Sequence, residues 1–220
     1  MVQRFRLRPM FSCVAVAALS VAVLAGGCNI IGALAAKTVG NPDIPAKYTL
    51  EKVPTLIWVE NFQNPDLAEQ DAILLAHAIE DKFKKKDLIP IVGMEKAIDQ
   101  KNLRPKEFRT TSIAGIGRLV GAEQVLYVDL QQSGIVPVMI GGSFEGRAAA
   151  QVKVIKSKDG AILWPTDAQA GYPVTTETNP LKGTDPKNAN DVRVSLYDYL
   201  SGDIVRLFIK YDQDEVPERK

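Results

Sequence analysis

The stretch Phe144–Lys156 alternates in polarity. Phe144, Gly146, Ala148, Ala150, Val152 and Val154 fall on one side, and Glu145, Arg147, Gln151 and Lys153 on the other. Successive side chains of a strand point to opposite faces. One apolar and one polar face therefore predict an antiparallel strand with one side in water. Lys158-Asp159-Gly160 turns the chain, Ala161–Trp164 starts a return strand, and Val174–Thr178 continues it.

The rest of the chain must supply partners for that strand. Thr55-Leu56-Ile57-Trp58-Val59 is short, β-branched and aromatic, and reads as a buried strand. Asn64-Pro65 breaks it, and Asp66-Leu67-Ala68-Glu69 has the spacing of a helix N-cap with an acid three residues on. Ala72, Leu75, Ala76, Ile79 and Phe83 then share one helical face. Lys82, Lys84, Lys85 and Lys86 close that helix, where positive charge suits its C-terminus and faces water; the alternative is a contact with anionic lipid. Leu88–Val92 is a second strand, pushed toward an edge by Pro90. A strand, helix and strand this short predict a parallel unit. Met94–Lys101 and Ser112–Leu119 are short helical stretches, and Gln124–Gln132 is the clearest central strand. Asn179–Asn190 is a polar loop, and Leu196, Leu200, Ile204 and Phe208 mark a last amphipathic helix. The expected fold is α/β: a mixed sheet of about five strands, with helices packed on it. It opens with the strand-helix-strand unit, continues with antiparallel strands and ends in the C-terminal helix. This single domain is expected over 55–211, with a polar tail over 212–220.

Hydrophobic residues make up 46% and charged residues 24% of the 220, the mixture of a packed globular chain. The formal charge of +1 excludes a nucleic-acid binder held by a general basic surface. Two cysteines, Cys13 and Cys28, cannot build a multi-disulfide framework. His77 is the one histidine, so schemes needing two are excluded.

The N-terminus carries an address. Arg4, Arg6 and Arg8 stand with no acid before an apolar run from Met10 to Ala25, followed by Gly26-Gly27. This is the layout of a secretory signal, expected over 1–27. Leu24-Ala25-Gly26-Gly27-Cys28 resembles a bacterial lipobox, with small residues before a cysteine that takes a diacylglycerol. The leucine stands four residues before the cysteine, one further than in the usual pattern. The alternative is an uncleaved anchor, since Met10–Gly27 is 18 residues, near the lower limit for crossing a bilayer. Cleavage before Cys28 would leave 193 residues and remove three arginines, turning the charge to −2. Several acyl chains hold a protein on a bilayer far more firmly than one. Residues 28–54 are then expected to form the lipidated N-terminus and a linker, since Lys37–Pro54 holds three prolines and a glycine without helical period. Asn29 is not the aspartate associated with inner-membrane retention. By that resemblance the chain is expected at the outer membrane, facing the periplasm.

Three stretches together resemble the envelope lipoproteins related to CsgG, the LpoB-type synthase activators and the N-terminal domain of TolB. Ile57-Trp58-Val59-Glu60-Asn61-Phe62-Gln63-Asn64 is similar to their first strand with its Phe-x-Asn turn. Val120-Gly121-Ala122-Glu123-Gln124-Val125-Leu126-Tyr127-Val128 is similar to their Gly-Ala approach to a central strand. Val152–Trp164 is similar to their hairpin, in which a tight Gly turn precedes an aliphatic strand ending in Trp. The resemblance spans about Thr55 to Lys210. It implies a domain that binds proteins or assembles into oligomers and is not an enzyme, with no cofactor and no metal. The partners it implies are the bilayer, through acylated Cys28, and an envelope protein or further copies of the chain. CsgG's two long amphipathic membrane hairpins have no counterpart here, which argues against a pore.

Few other residues suggest chemistry. His77 has Asp81 four residues on, a solvated pair on a helix. Gly115-Ile116-Gly117 lacks the close preceding strand and third glycine of a dinucleotide site, and Gly141-Gly142-Ser143 lacks the Lys-Ser/Thr of a phosphate loop. Glu60 and Asp129 are expected near the C-terminal ends of the two central strands, where open α/β sheets bind ligands. A hydrolase reading would use them as acid and base. The simpler reading ends both strands at the surface. Ile135-Val136-Pro137-Val138-Met139-Ile140 is apolar where a connection is usually polar. Either it extends the flanking strands into the core, or its residues Ile135, Val136, Val138, Met139 and Ile140 contact a partner.

Overall fold

β1 (Thr55–Glu60) is buried on both faces up to its last residue, as its unbroken apolar run requires. The computed structural model describes residues 43–61, 69–138, 144–178, 189–213 and 216. β1 pairs in parallel with β2 (Ile91–Val92) on one side and with β3 (Gln124–Pro137) on the other. β3 runs antiparallel to β4 (Phe144–Lys156). β5 (Ile162–Trp164) and β6 (Tyr172–Glu177) both pair antiparallel with β4. The order is β2-β1-β3-β4-β5, with β6 also on β4, so the mixed sheet has six strands. The sixth arises because Tyr172–Glu177 returns to β4 as a separate strand, past Gly171 at φ 111°. β2 keeps only two residues and lies at the edge, since Pro90 brings no N–H to a ladder.

α1 (Glu69–Lys85) links β1 and β2. It carries Glu69 and Asp71 in its first turn and Lys82, Lys84 and Lys85 in its last. Ala72, Leu75, Ala76, Ile79 and Phe83 are all buried on its inner face. Burying each large aliphatic or aromatic side chain favours folding by about 1.5–3 kcal/mol. The helix ends at Lys85, and Asp87 in the turn beyond it takes a positive φ of 47°. The cap expected at Asp66 lies outside the described residues.

α2 (Met94–Leu103), α3 (Pro105–Thr110) and α4 (Ile113–Leu119) follow β2. α3 was not expected; Pro105 at its first position starts a helix too short to show a period. α4 is capped by Ser112, whose Oγ accepts the Gly115 N–H at 3.2 Å. Gly117 has a packing role, because a Cβ there would lie 2.4 Å from Ser157 Oγ and 2.7 Å from Val125 Cγ2. α5 (Ala189–Arg206) buries Leu196, Leu200 and Ile204; Phe208 is buried too, just beyond the helix end.

The two faces of the sheet are covered differently. α5 lies on the apolar side of β4, close enough that a Cβ at Gly146 would stand 3.1 Å from Val192 and 3.2 Å from Leu196. α1 packs on α5 and on β1. The opposite face is covered by α3 and α4 over Trp58 and Val125. Further along that face, Arg147, Thr175 and Glu177 meet solvent.

Ile44–Tyr211 falls within one unit. Its second half of expected linker, Ile44–Pro54, is bound to the body. Ile44 pairs with Tyr211, and the Lys47 and Tyr48 N–H groups donate to the Leu207 carbonyl at 2.8 and 3.1 Å. Leu50 is buried, and Tyr48 stacks on Trp164 at 6.1 Å. The domain boundary therefore lies near Ile44 rather than Thr55, because this segment finds backbone and aromatic partners that only the folded chain assembles.

Candidate functional site

Seven buried residues, Gln124–Leu130, make the first half of β3; its second half leaves the body. A register shift between Leu130 and Gln132 separates the halves. Beyond it the ladder continues through Ser133↔Ala148, Gly134↔Arg147, Ile135↔Gly146, Val136↔Glu145 and Pro137↔Phe144. The apolar stretch expected between two strands is thus largely strand. Proline is tolerated at 137 because the described ladder ends there. The extension does not enter the core: Ile135 and Val138 are half-buried, Pro137 is exposed and Val136 is 49% exposed. Met139 and Ile140 lie outside the described residues, as does Cys28.

This ribbon is fastened at its root on one side. Ser133 Oγ and Tyr197 Oη of α5 share a hydrogen bond at 2.7 Å. Thr178 holds Gly146 from both ends, its Oγ1 accepting the Gly146 N–H at 2.8 Å and its own N–H donating to the Gly146 carbonyl at 2.9 Å. Arg147 pairs with Glu145 at 2.7 Å on the open side. Burial pushes the Tyr197 phenol well above its ordinary range, with the nearby Asp71 charge adding to it. A rigid root with an apolar outer half is a surface able to enter another molecule without large loss of conformational freedom.

The second place of interest is a groove of about 750 Å³ at the C-terminal end of β1. Glu60, Asn61, Phe108, Arg109, Ser112 and Tyr127 are among its walls. Glu60 and Asp129 are register partners on adjacent parallel strands, so the sheet does bring them side by side. Their settings differ. Glu60 lines the groove, and its two oxygens accept from Trp58 Nε1 at 3.1 Å and from Tyr127 Oη at 2.7 Å. Asp129 is buried and is not among the residues lining it. Burial first, then the Glu60 hydrogen bond and the Glu60 and Asp129 charges, pushes the Tyr127 phenol far up and keeps it a donor. Both Glu60 oxygens are thereby engaged in holding two aromatic side chains of the sheet.

His77 pairs with Glu95 at 3.4 Å rather than with Asp81. Glu80, Glu95 and His77 hold one ligand atom each within 4.8 Å of one another. Glu80 is buried and already used: it accepts the Met94 N–H at 2.8 Å, at the start of α2, and the Lys84 ammonium at 3.1 Å. Sequence reasoning missed this role, since the i,i+4 spacing of Glu80 and Lys84 marks the ion pair but not the turn at Met94. Among the described residues no helix is long and apolar enough to cross a membrane.

No protein-family model matches the chain, and no curated protein matches it. Solved structures do resemble it. Lipoprotein GNA1162 from Neisseria meningitidis aligns with TM-score 0.44 and 9% identity, over 63% of this chain and 90% of its own. The hypothetical protein CT253 from Chlamydia trachomatis aligns with TM-score 0.41 and 13% identity, over 71% and 94%. The PelC dodecamer from Paraburkholderia phytofirmans aligns with TM-score 0.39 and 12% identity, over 76% and 97%. Likeness at this level carries no function across.

Proposed function

We propose that the chain is a lipid-anchored, non-catalytic factor of a bacterial cell envelope, which acts by docking the β3–β4 ribbon on a partner protein. Cys28 takes the acyl chains, in the outer membrane with the domain facing the periplasm. The observation that carries this reading is the exposed outer half of β3. Ile135-Val136-Pro137-Val138 is apolar, yet it stands outside the core on a root held by Tyr197 and Thr178. Apolar surface of this kind on a fixed ribbon is favourable to cover. Glu60, with both oxygens engaged by Trp58 and Tyr127, supports a structural role for that acid over acid–base work.

A photo-activatable residue at Val136 tests the docking in the intact envelope, with Glu177 on β6 as control. The expected result is a discrete adduct from position 136 and none from 177. An adduct at twice the subunit mass makes the partner a second copy. No adduct from 136, in protein that is folded and carries acyl mass on Cys28, overturns the docking.

A further inference from the structure

A cleft of about 310 Å³ lies beside the C-terminal turns of α1 and α5. Its floor includes Val205 and Ile209, and Tyr211 forms part of its wall. Four cations line it, Lys82, Lys85, Lys86 and Arg206, against one carboxylate, Asp198. Lys82 is matched by Asp198 at 2.6 Å, and Arg206 by Asp203 at 2.6 Å. Lys85 and Lys86 are exposed and have no ion pair among the described residues. Two unmatched charges thus border an apolar-floored cleft, on a chain whose net charge is only +1.

Lysines in the last turn of a helix ordinarily answer its dipole. That accounts for their sequence position but not for the cleft between them and α5. Their place in the fold adds the second observation. Lys86 also lines an adjoining depression with Pro45, Ala46, Leu88 and Phe208. Pro45 follows Ile44, which pairs with Tyr211 of the cleft wall. The cleft therefore lies where the chain leaves the body toward Cys28. Fifteen residues separate Cys28 from Ile44, and these sixteen steps reach at most about 58 Å. A bilayer holding Cys28 is therefore within tether reach of this end.

We infer that the cleft beside Lys85 and Lys86 binds the phosphate-bearing headgroup of an anionic phospholipid. The lysines meet the phosphate, as polybasic segments beside a membrane do, and the Val205–Ile209 floor takes the glycerol and first methylenes. This inference rests on the anchor at Cys28, and it fixes which end of the domain faces the bilayer.

The full acylated chain is mixed with vesicles of phosphatidylcholine, alone or with phosphatidylglycerol, and its lysines are acetylated in competition. Flotation with the neutral vesicles tests the anchor; acetylation tests the cleft. Lys85 and Lys86 should react roughly three- to tenfold more slowly on the anionic vesicles, relative to Lys106 of α3, and salt should remove the difference. Equal rates on both vesicles, in protein that floats, overturn the cleft assignment and leave the anchor standing. Slowed Lys85 and Lys86 in protein that does not float with neutral vesicles overturn the anchor and leave the cleft standing. The same slowing by inorganic phosphate on neutral vesicles assigns the site to a free anion and overturns the lipid.

Discussion

Gln124–Leu130 and Gln131–Pro137 are consecutive halves of one strand, and β4 pairs with both, yet only the first half also has β1 beside it. The first half has every residue buried; the second alternates between half-buried and exposed. The ladder with β4 continues through both halves, so that pairing alone does not decide burial; the second strand neighbour and the helix cover of the first half do. The first half lies between β1 and β4, and α4 packs on it where Gly117 meets Val125. The second half has no register with β1 and meets α5 through the Ser133–Tyr197 hydrogen bond.

Several substitutions would break or sharpen this contrast. The largest effect is expected from truncation. Leu126→Ala and Leu130→Ala remove fully buried side chains and should each cost about 2–5 kcal/mol in urea unfolding. Val136→Ala, on the other half, should stay within about 0.5 kcal/mol. Similar losses at both places would mean that the ribbon is part of the core.

Alkaline titration comes next. Tyr127 sits in the covered half, and Tyr197 holds the root of the free half; both phenols are raised above their ordinary value of 10.0. A raised phenol is neutral in the fold while the unfolded chain already ionises. The stabilisation is therefore complete below about pH 10 and is lost as pH rises beyond it. Thermal unfolding should shift downward above that pH, and tyrosinate absorbance should lag for both residues until the chain opens. Glu60→Gln removes one of the influences raising Tyr127 and should let it titrate earlier, leaving Tyr197 unchanged.

Glycines give a smaller contrast. Gly117→Ala pushes a methyl into Ser157 and Val125 and should cost about 1–3 kcal/mol. Gly134→Ala meets open space and should change stability by about 0.5 kcal/mol or less, as read by thermal melts. Tyr197→Phe deletes the Ser133 hydrogen bond at the root and should cost about 1 kcal/mol. If the root orients the ribbon, Tyr197→Phe should also reduce crosslinking from position 136 by more than this loss of stability explains.

Much of the covered half was legible before any coordinates. Thr55–Val59, Gln124–Leu130, the alternation of Phe144–Lys156 and the faces of α1 and α5 all carry their partner's position in a local period. α3 escaped because six residues carry no period. The extension of β3 was one of two readings that the sequence left open for 135–140, because Gly134 and Pro137 also mark a connection. Ile44–Pro54 read as linker for the same reason, since its partners, the Leu207 carbonyl and the Trp164 ring, are more than a hundred residues away in sequence. Glu60 and Asp129 were both identified from their strands. That Glu60 holds Trp58 and Tyr127, whereas Asp129 lies outside the lining, depended on the strand register and on α3.

By itself the sequence determined the kind of fold, the strand and helix faces and the resemblance of its N-terminus to a lipobox. Each is written in neighbouring residues, through side-chain period or residue size. Only the tertiary structure decided which half of β3 is covered, which lysines are left unmatched and where the domain begins. Those depend on which strand, helix or carboxylate far along the chain comes to lie beside each segment, and no local period encodes a distant neighbour.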